Sequence, residues 1–375
     1  MKVEVNQEDL VQKLAICSRF TTSKVQLPIL ANVLITATSN KITLKATNLE
    51  SSISFSMGSK VIEEGSITIP SKTFYEIVSN LSKGVLTLVA EKEQLHIFQE
   101  GYNALLVGIN SLDFPDVIST PPKEGMSFQG KEAIEIFQNV LFSVSSDEAR
   151  PVLNGVLFIF DDQENIVFVS TDGFRLTKFV KNIKKENKNV NKLSGRIIIP
   201  KSTLVEVSKI FQENTFTLSL IEKDKQVVFS DGLSCVLSSR IIEGEFPNFE
   251  KILPKESKLT LNVSRDDFYQ AIRLASVFAK DSSNVVTFDI KKDDMFVKSE
   301  NSTTGKQSKR IFFKRVEGTE EEMKISFNFH FLDDLLKVIK GESLEIRISS
   351  PFSPVLFLDP ICKEFIHVIM PIKTL

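Results

Sequence analysis

Residues 197–211 read IIIPKSTLVEVSKIF, a β-branched run and a proline followed by apolar side chains at helical spacing. This pattern predicts a short strand that leads into an amphipathic helix. The chain writes the pattern three times, with ITIPSKTFYEIVSNL at 67–81 and ISFNFHFLDDLLKVI at 325–339. The copies start at residues 67, 197 and 325, which are 130 and 128 residues apart. So long a period indicates a triplicated domain, because solenoid repeats run about 20–50 residues.

The composition is that of an ordinary globular protein. The chain has 375 residues, 42% of them hydrophobic and 25% charged, with a formal net charge of −2, and about two to three domains are expected. Its cysteines, Cys17, Cys235 and Cys362, lie far apart and form no zinc or disulfide pattern, which favours a reducing compartment. The amino-terminal MKVEVNQEDL has no apolar signal core, and no apolar run of about 18 residues occurs. We therefore expect a cytoplasmic protein without a membrane partner.

Two further landmarks recur with the triplication and set the expected domain boundaries. The segments VNQEDL, FQGKEA and VSRDDF each predict a helix start, with acids in the first turn where the helix dipole favours them. Phe-Pro turns at 113–116 and 245–248 precede segments rich in Pro and Lys. We expect three domains, at residues 1–122, 123–254 and 255–375.

The segments between these helices predict the fold class. Alternating β-branched runs joined by turn residues read as hairpins set around two helices in each domain. The expected fold is α+β, with three similar domains of antiparallel sheet and two helices each. A doubly wound parallel sheet is the weaker alternative, because strands and helices do not alternate one to one.

Motifs of catalysis and metal binding are missing from the sequence. No phosphate-binding, zinc-protease or nucleophile-elbow motif occurs, and His96, His330 and His367 have no ligand spacing. The Lys/Asn-rich residues 181–192 read as an exposed hairpin loop, and the acidic residues 317–322 as a solvated turn. We expect no catalysis, no metal and no cofactor, although a DNA-modifying enzyme with scattered catalytic groups stays an alternative.

Six short motifs carry a family resemblance. They are LPIL at 27–30, DFPD at 113–116, RPVLNG at 150–155, TDGFRL at 171–176, EFPN at 245–248 and VIMPI at 368–372. In this order, in a triplicated chain of this length, they resemble the bacterial sliding-clamp family, the beta subunits of DNA polymerase III. The resemblance implies the DNA clamp fold, closed as a head-to-tail homodimeric ring around duplex DNA without sequence preference. It implies a processivity factor that tethers the replicative polymerase, with the clamp loader and other replication or repair proteins binding through short peptides.

The resemblance also assigns basic residues to a surface that faces DNA. These residues are Lys13, Arg19, Lys24, Lys72, Arg150, Lys201, Lys209, Arg273, Lys280, Lys337 and Lys340. Family contact positions align with Lys24, Lys72 and Arg150. Such contacts to phosphates need no base recognition. A non-topological, sequence-specific DNA-binding scaffold stays a further alternative.

A groove for partner peptides is the second assignment. Its implied lining is Leu153, Thr171, Gly173, Phe174, Arg175, Leu176, Pro247, Lys251, Ile252, Val368, Met370, Pro371 and Ile372. Apolar members would receive apolar anchors of the peptide, while Thr171 and Arg175 would hold its polar groups. Phe174 stands where many relatives have histidine, and Lys251 where many have arginine. For the dimer interface we expect Val277 and Phe278, at the end of a third-domain helix.

Overall fold

The computed structural model describes residues 1–22, 27–161, 165–182, 195–280, 283–318 and 322–373. These residues form two compact units. One unit holds residues 1–132 and 205–241, and the other holds residues 133–182, 195–204 and 242–373. Helices in the described residues are α1 Gln7–Cys17, α2 Ser71–Asn80, α3 Gly130–Leu141, α4 Lys201–Ile210, α5 Arg265–Ala279 and α6 Phe329–Leu336.

Strands make up most of both units. From the first repeat come β1 Lys2–Asn6, β2 Asn32–Thr38, β3 Lys41–Thr47, β4 Ser51–Gly58, β5 Lys60–Glu63, β6 Gly65–Pro70, β7 Val85–Glu91, β8 Gln94–Gln99 and β9 Tyr102–Val107. From the second come β10 Met126–Gln129, β11 Gly155–Phe160, β12 Asn165–Thr171, β13 Arg175–Asn182, β14 Gly195–Pro200, β15 Thr215–Ile221, β16 Gln226–Ser230 and β17 Cys235–Arg240. From the third come β18 Leu259–Ser264, β19 Val285–Ile290, β20 Asp294–Asn301, β21 Gly305–Glu317, β22 Met323–Asn328, β23 Ser343–Ile348, β24 Val355–Asp359 and β25 Cys362–Ile369.

The strands form three sheets, and each sheet lies within one unit. The first unit has a five-stranded sheet, β5-β1-β7-β8-β9, and an eight-stranded sheet, β10-β15-β16-β17-β4-β3-β2-β6. The second unit has a twelve-stranded sheet, β14-β11-β12-β13-β25-β24-β23-β18-β21-β20-β19-β22. Neighbouring strands described in register are antiparallel throughout, for example β17 with β4 and β13 with β25. The antiparallel α+β prediction is confirmed, and the parallel alternative is wrong.

The repeated strand-and-helix unit forms as the sequence predicts. Leu332, Leu335 and Leu336 of α6 are buried, and so are Phe74 and Val78 at equivalent positions of α2. The apolar stripe therefore packs inward in both copies.

Helix starts follow the predicted acidic patterns. Asn6 caps α1 by accepting from the backbone N–H groups of Glu8 and Asp9, and the Ser264 side chain caps α5. Acids occupy the first turn of α1, α3 and α5. These caps satisfy N–H groups that a helix leaves without partners at its start.

Several predictions fall outside the described residues. Lys24 is one of them, and so are Thr374 and Leu375 at the carboxyl end. Most of the Lys/Asn-rich loop, residues 183–194, and residues 319–321 of the acidic turn lie outside as well. The domain boundaries at 122 and 255 stay a prediction; β10 begins at Met126 and β18 at Leu259.

Candidate partner groove and basic surfaces

The turn between β12 and β13 is built by its own side chains. Thr171 Oγ1 donates to Arg175 O at 2.6 Å and accepts from Gly173 N at 3.0 Å. Asp172 Oδ1 accepts from the backbone N–H groups of Phe174 and Arg175 at 2.9 and 3.0 Å. Gly173 has φ +93°, a conformation that glycine adopts without a steric penalty. The result is a fixed turn that leaves the Phe174 side chain 60% exposed.

The carboxyl-terminal segment runs along this turn. Ile369 of β25 lies between Arg175 of β13 and Val355 of β24. Beyond the strand, the Met370 N–H donates to Phe174 O at 2.8 Å, and the Ile372 N–H donates to Ser326 O at 2.8 Å. The structure thereby brings together two motifs that lie almost 200 residues apart in sequence, and two backbone hydrogen bonds hold residues 370 and 372 in place.

Part of the implied groove lining is core rather than surface. Leu153, Leu176 and Val368 are buried in one cluster with Phe246 and Phe249. These residues are buried in the single chain, and their role as contact residues stays a prediction. The cluster also anchors the segment that carries the exposed Pro247, Lys251 and Ile252. The remaining accessible members are Gly173, Phe174, Met370, Pro371 and Ile372.

The two polar groove residues form hydrogen bonds within the chain. Arg175 directs its nitrogens to Asp172 Oδ2 at 2.9 Å, Asp334 Oδ2 at 2.9 Å and Phe142 O at 2.7 Å. Its side chain is only 10% exposed. The Thr171 hydroxyl bonds to two backbone groups of the turn at 171–176, which we call the groove turn. Both side chains stabilise the groove turn, and their contacts with a peptide stay a prediction.

Arg150, expected to face DNA, lies beside the groove turn. A Cβ built on Gly173 would come within 2.8 Å of Arg150 Nη1. Arg150 Nε pairs with Asp147 Oδ2 at 2.9 Å, and this hydrogen bond is the main cause that lowers the pKa of Asp147. Arg150 is therefore positioned to contact whatever occupies the groove.

Four of the other basic candidates, two in each unit, pair with carboxylates of the chain. In the first unit Arg19 and Lys209 share Glu206, at 2.7 and 3.0 Å. Lys13 lies over the Phe55 ring, 5.5 Å from its centroid. These are exposed pairs, each worth about 0–1 kcal/mol, so they leave the cations available to other anions.

The second unit contains both paired and unpaired candidates. Lys337 pairs with Asp333 at 2.9 Å and Asp334 at 3.1 Å, and Lys340 pairs with Glu135. Lys201 forms no salt bridge with another described residue, and burial lowers its pKa. The exposed candidates without a salt bridge to another described residue are Lys72, Arg273 and Lys280.

Sequence reasoning missed one unpaired sheet edge. Strand β9 has only β8 as a neighbour in its sheet, and it exposes Leu105 and Val107. Of the two residues expected at the interface, Val277 is 63% exposed, and Phe278 lies 3.6 Å from a Cβ built on Gly305, at the start of β21. The residues NALLV at 103–107 could have indicated the edge. Leu105 and Val107 point outward and are apolar, whereas an exposed edge strand normally carries polar residues there.

The described residues form neither a metal cluster nor a membrane-spanning helix. Among the described residues, no three His, Cys, Asp or Glu side chains are grouped to hold a metal ion. No helix in the described part of the chain is long and apolar enough to span a bilayer.

Three family models cover the chain. The N-terminal domain of the DNA polymerase III beta subunit matches residues 1–118, the central domain 127–248 and the C-terminal domain 250–373. The chain is 26% identical to the beta sliding clamp of Bacillus subtilis over 386 residues, covering 100% of both. It is also 26% identical to that of Chlamydia muridarum, covering 100% of the chain and 99% of that relative.

Solved structures agree in fold. The DNA polymerase sliding clamp from Bacillus subtilis superposes with a TM-score of 0.92 at 23% identity, covering 100% of both chains. The beta sliding clamp of C. crescentus gives a TM-score of 0.92 at 24% identity with the same coverage. The family models together span almost every residue in the expected order, and the chain therefore belongs to the DNA polymerase III beta subunit family, the bacterial beta sliding clamps.

Proposed function

We propose that two copies of this chain close head to tail around duplex DNA and slide along it while partner proteins dock in the groove at Phe174. The chain is a DNA replication processivity factor and not an enzyme, in keeping with its family. It would act in the cytoplasm, on the nucleoid. Ring closure is supported by a strand pairing between repeats. The described strands form this pairing twice within one chain, and a third, equivalent pair of strands does not form it in the described structure.

The two completed pairings use equivalent strands. In the first unit β17 pairs with β4, with Leu237 opposite Ile53. In the second unit β25 pairs with β13, with His367 opposite Thr177. Each joins a strand late in one repeat to a strand early in another, so a third pairing of this kind needs β9 and β21.

Strands β9 and β21 have the free edges that this third pairing requires. Strand β9 is the edge of its sheet, and residues 305–312 of β21 pair only with β20 among the described strands. A contact between β9 of one copy and β21 of the other is heterologous, and two such contacts close a dimer. It would cover the edge that otherwise invites aggregation.

Equivalent strand pairs fix the register of the proposed pairing. Before each hairpin turn, Ala46 lies opposite Ile53, Ser170 opposite Thr177 and Ser299 opposite Gln307. Ala46, Ser170 and Ser299 are equivalent because each lies two residues before the Asn or Asp, at 48, 172 or 301, whose side chain caps the turn. Ile53, Thr177 and Gln307 therefore occupy equivalent positions.

The partner position is found in the same way. Leu237 and Ala104 each lie five residues before an isoleucine, Ile242 or Ile109, that bridges to the equivalent strand, β14 or β6. Ala104 should then lie opposite Gln307 of the other copy. The same register sets Leu105 opposite Lys306 and Leu106 opposite Gly305.

The basic residues support loose DNA contacts. Since Arg19, Lys209, Lys337 and Lys340 pair with carboxylates of the chain, a phosphate must compete for each of them. Contact with phosphates alone also carries no sequence preference. Retention would then come from encirclement rather than from affinity.

Topological retention is tested by comparing nicked circular DNA with the same DNA after linearisation. Purified protein, loaded by the clamp loader of the same organism, should stay on the circle through gel filtration and leave when the circle is cut. Equal retention on linear DNA with free ends would refute encirclement. A footprint that prefers one sequence at moderate salt would favour the sequence-specific scaffold.

Groove docking is tested by deleting residues 370–375. The deletion should abolish binding of the carboxy-terminal peptide of the replicative polymerase and leave the dimer intact, because β9 and β21 are untouched. Met370 and Ile372 each lose a 2.8 Å backbone hydrogen bond in this variant. Exposed loop residue Leu233, replaced by Ser, is the matched control, since it lies far in sequence from the groove motifs. Undiminished peptide affinity in the deletion variant would contradict the assignment.

A further inference from the structure

One arginine links the groove turn to α6. Arg175 Nε binds Asp172 in the turn, and Nη1 binds Asp334 on α6, each at 2.9 Å. Its third donor binds Phe142 O, after α3, at 2.7 Å. The guanidinium also lies over the Phe331 ring, 4.7 Å from the centroid. Because the Arg175 side chain is held by these partners and little exposed, a movement of Asp334 displaces the guanidinium and, through it, the turn.

Asp334 faces a cavity in the second unit. The cavity has a volume of about 580 Å³. Its charged lining consists of Lys201, Lys337, Lys340, Glu135 and Asp334. Its apolar lining consists of Leu141, Phe142 and Val338. Three cations thus face two anions, in a space large enough for a polyatomic ligand.

The cation without a partner is Lys201. It is half-buried and forms no salt bridge with another described residue. Burial lowers its pKa, the neighbouring Arg175 charge lowers it further, and Asp334 opposes both effects. Lys337 is shared between Asp333 and Asp334. An ammonium group in this position is stabilised by any anion that enters the cavity.

We propose that the cavity binds a phosphate group of a nucleic-acid backbone, and that Arg175 transmits its occupancy to the groove turn, so that bound phosphate tightens the partner groove. The proposal deepens the proposed function and rests on it for the identity of groove and ligand. Arg175 acts as a positioning residue, because its donors are held by Asp172, Asp334 and the carbonyl of Phe142.

The direction of the coupling follows from the charges. A phosphate held by Lys201 and Lys337 draws Lys337 away from Asp334, which leaves that carboxylate to Arg175. The phosphate also offsets the repulsion between Lys201 and Arg175. Both effects hold Arg175 more firmly against Asp172, and a turn ordered in advance binds a peptide at a lower entropic cost. By linkage, a groove peptide must raise the affinity for phosphate by the same factor.

The test reads the turn directly, without a partner peptide or a closed ring. Hydrogen exchange of the amides at 173–175, which donate to Thr171 and Asp172, is measured at low salt with and without saturating short duplex DNA. Tripolyphosphate serves as a second probe, and sodium chloride at equal ionic strength serves as the blank. Exchange should slow by about fivefold or more with duplex DNA, the lower end of usual coupling factors.

Three variants make the test specific. Asp334→Asn is nearly isosteric and should abolish the slowing, and Arg175→Lys should do so because lysine cannot make the three directed contacts. Lys60→Gln is the matched control and should keep the full effect. Lys60 is not among the residues expected to face DNA, and its Nζ pairs with Glu4 Oε2 at 3.1 Å, the same distance as Lys337 Nζ to Asp334 Oδ1.

Several results would overturn the coupling. Unchanged exchange at saturating duplex DNA would do so, as would full slowing in Asp334→Asn or loss of the effect in the Lys60→Gln control. Slowing by tripolyphosphate that duplex DNA does not reproduce would reject nucleic acid as the source. Failure of the proposed function is recognised separately, because retention on circular DNA does not depend on these amides.

Discussion

The charge at position 105 should control how tightly two copies associate. In the proposed register Leu105 of β9 lies opposite Lys306 of β21 in the other copy, and Leu105 is 48% exposed in the single chain. Leu105→Glu places opposite charges side by side across the strands, whereas Leu105→Lys places like charges there. Both variants remove the same apolar side chain, so they differ only in the sign of the charge.

The size of this difference can be worked out from the pairing. A directly opposed cross-strand pair contributes roughly 0.2–1 kcal/mol, with the sign set by the charges. The gap between an attractive and a repulsive pair is therefore about 1 kcal/mol per interface. A closed dimer has two interfaces, which gives about 2 kcal/mol, or roughly thirtyfold in the dimer Kd.

Sedimentation equilibrium at low ionic strength measures that ratio. Leu105→Lys should dissociate at the higher concentration, and the gap should shrink in 1 M salt, where the Debye length falls to about 3 Å. The double variant Leu105→Lys with Lys306→Glu should recover the association. Equal weakening by Glu and Lys at position 105, or no recovery in the double variant, would refute the register derived from the equivalent strands.

Three further outcomes follow from single side chains. Phe174→Ala should weaken polymerase-peptide binding by about tenfold in fluorescence anisotropy, since exposed aromatic anchors carry much of such affinities; unchanged affinity would remove the ring from the groove. Thiol labelling should reach Cys362 first, because Cys17 and Cys235 are buried, and burial raises the pKa of Cys17 to about 12; rapid loss of all three thiols in the folded protein would contradict this. Asp231 accepts three backbone N–H groups, which hold its pKa below the usual value against the effect of burial, so Asp231→Asn should cost about 1 kcal/mol of unfolding free energy at neutral pH. That contribution is present above the unfolded pKa near 3.8 and disappears as pH falls through the lower folded pKa, so a penalty in urea titrations that is equal at acidic pH would count against the charge.

The repeated helices could be predicted because their signals are local. The apolar spacing within 67–81 or 325–339 contains everything needed to place α2 and α6. The strand β25 was less visible, and the sequence marked it only as an unusual apolar chain end. Its neighbours β13 and β24 are chosen by tertiary pairing, which no window of the sequence contains. Short strands such as β1 and β9 were missed for the same reason.

The candidate groove shows the same division between local and distant information. The turn at 171–176 was recognised, since Thr, Asp and Gly in that order favour it. The destination of the Arg175 side chain was not, because its partner Asp334 lies 159 residues away. An arginine in a turn reads as a free binding group until the acid that occupies it is known.

The ion pairs on the basic residues bear on how a ring could hold DNA and still move. Each of Arg19, Lys209 and Lys337 can exchange a carboxylate of the chain for a phosphate, at a net gain close to zero. Such contacts can be made and released with little change in free energy at every step along the duplex. Lys201 is different, because it is half-buried and no carboxylate pairs with it in the described structure. A phosphate at Lys201 gains more than one at the paired lysines, and that gain is available to order Arg175 and the turn. The paired cations would then make exchangeable contacts that permit sliding. Lys201 would make a stronger contact, through which bound DNA orders Arg175 and the partner groove.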